Sequence, residues 1–340
     1  MKAIVVDKPL SYQLRDLPLP EPPHGWARIK VLMAAFCSTD LEVVSGGIKA
    51  RYPLTPGHEW CGIVDKVNGG QADQGWTGQY VAASNDVCCL ACPACRSGQW
   101  RNCAQFGEIG FAHDGAFAEY LLVPIYALRA LPADMAPIQA CLLEPLGVGI
   151  GTLDKVDAQA GDSMLIIGAG SIGLNALAVA RARGLRRIAV MERSGHRLPI
   201  ARQLGASHTL ATSLEEPEAA LQSIFPNGPD IIIETSGAES ALQLALRIAP
   251  KGGRIALAGF GSHRDFRLHI DDIHIKNLRV VGAGNNWNVL DRAIDLVQSG
   301  LVDTCCLATH QLKLEDFAQA VELAGQRGEG FVKSVFALER

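Results

Sequence analysis

Several absences bound what this chain of 340 residues can be. No stretch of about twenty apolar residues occurs, the length a helix needs to cross a bilayer, so a membrane span is not expected. The opening MKAIVVDKP turns polar at once, and its apolar stretch is only strand-length, so no secretory leader is expected. There is no run of basic residues and the formal net charge is −4, which argues against nucleic acid as a partner. Neither an internal repeat nor a low-complexity tract is found. What the chain does have is glycine, 35 of them, and 48% hydrophobic residues. That suits an α/β enzyme with many tight turns, and the length allows two domains of ordinary size.

The ten cysteines are unequally used. Cys89, Cys92, Cys95 and Cys103 follow at spacing C-x2-C-x2-C-x7-C in CLACPACRSGQWRNC. Four thiolates this close in sequence can enclose one tetrahedral zinc with no other ligand, a closed structural site. Disulfides are the rival reading, but a C-x2-C pair spans a short loop and nothing marks the chain as secreted. Cys88 breaks the spacing and reads as a bystander. Cys61, Cys141, Cys305 and Cys306 sit in apolar surroundings and are expected to be buried. Free thiols beside a metal site point to a reducing cytosol, hence a cytoplasmic protein.

The first third alternates short β-rich pieces with Pro and Gly turns: KAIVV, ARIKVLMAA, CGIVDKV, QYVAAS and AEYLLVP. This predicts an antiparallel, barrel-like β domain. From about Gly161 the pattern changes to strand and helix in alternation: SMLIIGAG, SIGLNALAVARARG, RIAVME, HRLPIARQLG, DIIIETSG, SALQLALRIAP and RIALAGF. Regular alternation signals a parallel doubly wound sheet. After about Asp272 the character is mixed again: LRVVGAG, helices at VLDRAIDLVQSG and LEDFAQAVELA, and a strand KSVFAL.

Gly168-Ala169-Gly170-Ser171-Ile172-Gly173 is a G-x-G-x-x-G that follows the apolar MLII and opens a helix. Gly168 makes the tight turn, Gly170 lets backbone approach a pyrophosphate, and Gly173 lets helix pack on strand. The alternative is a tight strand–helix turn without a ligand. RIAVME ends at Glu192, whose carboxylate can accept both ribose hydroxyls of NAD and would repel a 2′-phosphate. Arg193 and Arg197 could instead pair with a 2′-phosphate or stack on adenine, so NAD is favoured and NADP stays open.

Cys37 in AAFCSTD, His58 and Glu59 in TPGHEWCG, and Glu144 in LLEPLG are weak signals separately. Together they offer thiolate, imidazole and carboxylate, the mixed ligand set of an open catalytic zinc site. Such a zinc polarises an alcohol oxygen and lowers its pKa, which hydride loss to a nicotinamide requires. Thr39 can hydrogen-bond that oxygen and pass its proton outward. Its rival reading is a Thr39-Asp40 turn or cap.

These motifs resemble the zinc-dependent medium-chain dehydrogenase/reductase family over nearly the whole chain. C-S-T-D is similar to its C-G-[ST]-D, G-H-E to its zinc-ligand motif, and D-G-A-F-A-E-Y (114–120) to its D-G-x-F-A-E-Y, with the cysteine lobe and G-A-G-S-I-G in the right order. E-P at Glu144 resembles the polyol, sugar-alcohol and threonine dehydrogenase branch. The resemblance implies that Cys37, His58 and Glu59 or Glu144 bind the catalytic zinc, with the two carboxylates alternating, and that Thr39 is the relay hydroxyl. Two departures stand out. Ser38 replaces the family's glycine, and Glu42 stands where many relatives carry the next relay histidine. The relay then runs through Glu42, a ribose hydroxyl or water. Lys49 and Arg51 in the following loop face either an anionic substrate or solvent.

The expected fold is α/β. A barrel-like, GroES-like catalytic domain takes residues 1–148 and 275–340, with the structural zinc lobe at 88–103. A Rossmann domain takes 149–274, and substrate lies in the cleft between them. The expected function is zinc-dependent oxidation of a secondary alcohol (a polyol, sugar derivative or hydroxy-amino acid), with two zinc ions per chain and NAD as acceptor. The alternatives are an NADP-linked carbonyl reductase and a non-catalytic, redox-responsive regulatory protein on the same fold. By similarity the chain forms a homodimer or homotetramer.

Overall fold

The computed structural model describes residues 1–213, 217–261, 264–284 and 289–338. The chain divides into two compact units. The first comprises Met1–Glu144, Leu290–Gln298 and Ala308–Arg340; the second comprises Pro145–Val289 and Ser299–Leu307.

The first unit is built from strands β1 (Lys2–Lys8), β2 (Ser11–Asp16), β3 (Trp26–Phe36), β4 (Glu59–Asn68), β5 (Tyr80–Ala83), β6 (Asp86–Val87), β7 (Gly107–Glu108), β8 (Tyr120–Pro124) and β9 (Leu128–Ala130). The second holds β10 (Met164–Ile167), β11 (Ile188–Glu192), β12 (His208–Ala211), β13 (Ile231–Glu234), β14 (Arg254–Leu257) and β15 (Arg279–Gly282). The chain then returns to the first unit for β16 (Ala308–Leu312) and β17 (Lys333–Ala337).

In the first unit a seven-stranded sheet runs β16-β17-β3-β4-β5-β9, with β8 also paired to β3. All its pairings are antiparallel except β16 with β17. The long β3 is its axis. Near Trp26–Lys30 it pairs with β8, and near Met33–Phe36 with β17. An aromatic cluster fixes β17 there: Phe36, Phe117, Phe317 and Phe336 are buried with ring centroids 5.2–5.9 Å apart. Such ring pairs contribute about 0.5–1.5 kcal/mol each beyond the burial of their area.

The second unit is a six-stranded parallel sheet in the order β12-β11-β10-β13-β14-β15. Its central strands are apolar throughout because both faces are covered: every residue of MLII and IIIE is buried. The boundary differs from the expected residue 275. LRVVGAG supplies β15, the edge strand of this parallel sheet, and the unit continues to Val289. An apolar strand does not announce in its composition which sheet it will join. Residues 299–307 also belong here, and their Cys305 and Cys306 are half-buried rather than core. Cys61 and Cys141 are buried, as expected.

Candidate functional site

Three predicted metal ligands converge. Cys37 follows the end of β3, and His58 and Glu59 lie at the start of β4, which pairs with it: Ala35 faces Glu59. The sheet register therefore sets side by side residues more than twenty positions apart in the chain. Their ligand atoms all lie within 4.8 Å of one another. Glu144, half-buried in the first turn of the helix Leu143–Lys155, does not join this cluster.

Three further side chains hold the ligands. Asp40, fully buried in the helix Ser38–Ser45, accepts from the Cys37 amide at 2.8 Å and the Gly57 amide at 3.2 Å. Its Oδ1 also lies 3.1 Å from His58 Nδ1. With Nδ1 spent on Asp40, His58 presents Nε2 to a metal, and the carboxylate raises its basicity. Burial works against a charged imidazole, but Asp40 and the Cys37 sulfur more than offset it, and the proton affinity of His58 rises well above the usual value. The same field favours any cation. Asn85 donates to the His58 carbonyl at 2.5 Å and accepts from the Trp60 indole at 3.3 Å, which pins the start of β4. Lys333, only 2% exposed, donates to both oxygens of Glu59, at 2.7 and 2.6 Å. Burial alone would lower its pKa; Glu59, Cys37 and Asp40 reverse this and hold the ammonium charged.

The sequence offers Asp40 only as half of a turn or cap; it does cap Cys37, and it also reaches His58. The signal for this was the Asp in C-x2-D beside a G-H-E. Asn85 and Lys333 carry no local signal at all.

Thr39 Oγ1 lies 3.5 Å from the Cys37 sulfur. Glu42 is three residues further on the same helix, hence on the same face. Its carboxylate leans on Gly47, where a Cβ would collide with it. The Phe111 ring packs 5.0 Å from that of His58, an apolar wall beside the metal ligands. Lys49 and Arg51 are exposed.

The four lobe cysteines also cluster within 4.8 Å. The sulfurs of Cys89 and Cys95 are 4.0 Å apart and those of Cys89 and Cys103 3.5 Å apart. Zinc–sulfur bonds of about 2.3 Å at tetrahedral angles put sulfurs about 3.8 Å apart, so the cluster fits the ion. The Cys95 amide donates to the Cys92 sulfur, and the Gln105 amide to the Cys103 sulfur. The first of these bonds draws the Cys92 thiol down to about 6, while burial pushes Cys95 up to about 12. Cys88 packs beside the lobe, outside the cluster, and burial pushes its thiol up to about 11.

In the second unit the glycine motif joins β10 to the helix Ser171–Ala182. Gly168 has φ +104°, and a Cβ there would meet Thr235 Oγ1 at 2.6 Å. A Cβ on Gly173 would strike the Gly168 carbonyl, whereas one on Gly170 would meet nothing within 4 Å. Ile172 is half-buried in the first turn of that helix. The Ser171 hydroxyl, at the helix N-terminus, is buried without a hydrogen-bond partner among the described residues. An open face over Gly170 with an orphaned hydroxyl beside it fits a dinucleotide phosphate. Glu192 ends β11 and accepts from the Ala169 amide at 2.9 Å. Arg197 Nη1 is 4.0 Å from its carboxylate, and Arg193 is exposed.

Comparison with known proteins places these sites in context. The alcohol dehydrogenase GroES-like domain family matches residues 23–133, and the zinc-binding dehydrogenase family matches 171–299. An L-threonine 3-dehydrogenase of Bacillus velezensis is 34% identical over 97% of both chains. A sorbitol dehydrogenase of Bacillus subtilis is 31% identical over 96% of this chain and 94% of that protein. An alcohol dehydrogenase of Escherichia coli CFT073, solved with NADH, superposes with a TM-score of 0.92 at 27% identity, covering 99% of each chain. A zinc-binding dehydrogenase of Sinorhizobium meliloti 1021, solved with NADP, gives 0.91 at 27% identity over 99% of this chain and 98% of that one.

Proposed function

The chain belongs to the zinc-dependent medium-chain alcohol dehydrogenases, and we propose that it oxidises a secondary alcohol of a polyol, sugar derivative or hydroxy-amino acid with NAD as hydride acceptor. The observation that carries this is the convergence of Cys37, His58 and Glu59, with Asp40 behind the imidazole. When bound, zinc supplies Lewis acidity at the alcohol oxygen and the dinucleotide supplies the hydride acceptor.

The chain's own residues do the rest. Cys37, His58 and a carboxylate, Glu59 or Glu144, hold the metal, and Asp40 fixes the imidazole tautomer. Thr39 takes the proton of the alcohol and hands it outward through Glu42 or water. Gly168, Gly170, Ser171, Ile172 and Gly173 cradle the pyrophosphate. Glu192 accepts the ribose hydroxyls, with Arg197 beside it. Cys89, Cys92, Cys95 and Cys103 hold a structural zinc.

The two solved neighbours carry different cofactors, so the choice of NAD rests on the Glu192 carboxylate. The relatives favour polyols and L-threonine as substrates. Assembly as a homodimer or homotetramer is supported by the edge strand β15 and by the exposed Phe260, Ile270 and Ile275 near it in sequence. Among the described residues no helix is long and apolar enough to cross a membrane. The unbridged cysteines favour the cytoplasm.

The test is a turnover screen with NAD and NADP against polyols, aldonates, sugar phosphates and L-threonine. Turnover with a polyol or threonine, and a higher kcat/KM for NAD, are expected. Glu192→Ala should narrow the cofactor preference. Absence of turnover with every alcohol, or a wild-type preference for NADP, would sink the corresponding half of the reading.

A further inference from the structure

The parallel sheet reverses its strand order between β10 and β13, and a dinucleotide lies across the crevice at such a point. The half built on β10, β11 and β12 carries the glycine turn and Glu192, which fit the phosphates and the adenosine ribose. The half built on β13, β14 and β15 is left for the nicotinamide end. β13 is tied to the glycine turn itself: the hydroxyl of Thr235, the residue after this strand, donates to the carbonyls of Ile167 and Gly168 at 3.0 and 2.9 Å.

The last residue of β13 is Glu234, only 3% exposed. Its Oε1 accepts from the Ser236 amide at 2.7 Å, the Ser236 hydroxyl and the Gly237 amide at 3.1 Å. The Ala238 amide donates to the Ser236 hydroxyl oxygen at 3.2 Å, which leaves the hydroxyl proton for the carboxylate. These neighbours are all donors, as expected around an ionised carboxyl. Burial pushes the pKa of Glu234 up, and the Ser236 and Gly237 donors work against this. Its Oε2 lies against Gly259, where a Cβ would come within 2.8 Å of it. No basic side chain pairs with Glu234 among the described residues. Arg264 reaches the same turn, donating to the Gly237 carbonyl at 3.2 Å, but it is exposed, where water and salt screen its charge.

A buried carboxylate without a cation costs stability. No step of the alcohol oxidation described above uses Glu234. The two forms of the cofactor differ by one positive charge, carried on the nicotinamide ring of NAD+ and absent from NADH. A fixed negative charge in low dielectric at the nicotinamide end distinguishes the two by Coulomb attraction, with no need to touch the ring.

We propose that Glu234 senses the charge of the cofactor: its buried carboxylate favours NAD+ over NADH, so that the site loads with the oxidised form and sheds the reduced one. This is the order of exchange that alcohol oxidation requires. It rests on the dinucleotide site proposed above.

The test measures Kd for NAD+ and for NADH by calorimetry on the zinc-loaded full chain, as wild type, Glu234→Gln and Glu234→Asp. Gln keeps an oxygen at the Oε1 position, where the three shorter bonds fall, and loses the charge. Asp keeps the charge and draws the oxygens back from the Ser236–Gly237 turn. Glu234→Gln should lower the ratio Kd(NADH)/Kd(NAD+) by at least about threefold. Glu234→Asp should weaken both cofactors and leave the ratio within about twofold of wild type. An unchanged ratio in Glu234→Gln would overturn the proposal even if both affinities fall, because a purely structural role weakens both forms alike. So would a ratio in Glu234→Asp that falls as far as in Glu234→Gln. If Glu234→Gln does not fold, Glu234→Met, also neutral and of similar length, is measured in its place and read in the same way. If the wild type prefers NADP, the NADP+ and NADPH pair is used, since it carries the same difference of one charge. A wild type that binds neither form of either cofactor would overturn the dinucleotide site itself, a result distinct from an unchanged ratio.

Discussion

The cysteine lobe and the Cys37 centre reach a metal by opposite routes. The lobe is written in fifteen consecutive residues, Cys89 to Cys103, and takes its shape from backbone amides that point at its own sulfurs. The other centre is assembled from β3, β4 and β17, and its buried carboxylates Asp40 and Glu59 are bonded to His58 and Lys333. The lobe needs its ion to have a reason to fold. The Cys37 centre is shaped by a sheet that would stand without the ion, and the buried charges it keeps are a cost to stability rather than a gain. A site built for stability and a site built for chemistry therefore differ in what losing a ligand should do.

The sharpest way to break this contrast is His58→Ala. Turnover should fall well beyond the roughly 10–100-fold typical of altering a ligand's outer partner, with one of two metals lost and the melting temperature little changed. Near-normal turnover in a well-folded His58→Ala protein would remove the Cys37 cluster from the chemistry.

Thr39→Val keeps the shape and deletes the hydroxyl. Oxidation should slow by roughly 10²–10⁴-fold while both metals and the dinucleotide still bind. An unchanged rate would leave Thr39 as part of a turn.

Cys95→Ser should show the reverse profile. The protein should lose metal and stability, with melting lowered by several degrees, while the fraction that remains folded keeps most of its turnover. Full metal content and unaltered melting would make the lobe something other than a structural zinc site.

The smallest effect concerns Asp86, which precedes the lobe. Burial is the main reason its carboxyl is pushed up to about 6 from a usual 3.8; Glu108 adds to this and Arg101 opposes it. A raised carboxyl favours the fold while protonated, so this contribution is complete below about 3.8 and is lost as pH rises through about 6. Relative to wild type, Asp86→Asn should gain about 1–2 kcal/mol between pH 5 and 7.5, read from denaturant unfolding at matched zinc. A difference that does not vary with pH would mean that the carboxyl titrates normally.

The contrast also explains what could be read from sequence. The lobe could be read in full because its spacing is its geometry. The glycine turn and the alternation that predicts the parallel sheet were equally local. Cys37, His58 and Glu59 were found through motif resemblance, since residue types alone made each of them ordinary. Asp40 was visible only as a cap, because its reach to His58 depends on β4 lying beside β3. Lys333 could not be found: a lone lysine opening KSVFAL looks like a solvated strand end, and only the register of β17 with β3 turns it inward. The sixth strand of the parallel sheet lies past the expected boundary for a related reason. Strand character is local, but sheet membership is not.

The placement of β17 bears on how the protein is made. As synthesis proceeds, the six strands of the parallel sheet emerge in one continuous stretch, complete by Gly282. The first unit must wait for β16 and β17, some 50 residues later. At translation rates of about 5–20 residues per second, this is an interval of roughly 3–10 seconds. Throughout it the nascent chain contains Cys37, His58 and Glu59 but not yet Lys333, whose ammonium donates to both Glu59 oxygens in the finished fold. The Lys333–Glu59 ion pair is therefore among the last contacts of the first unit to form.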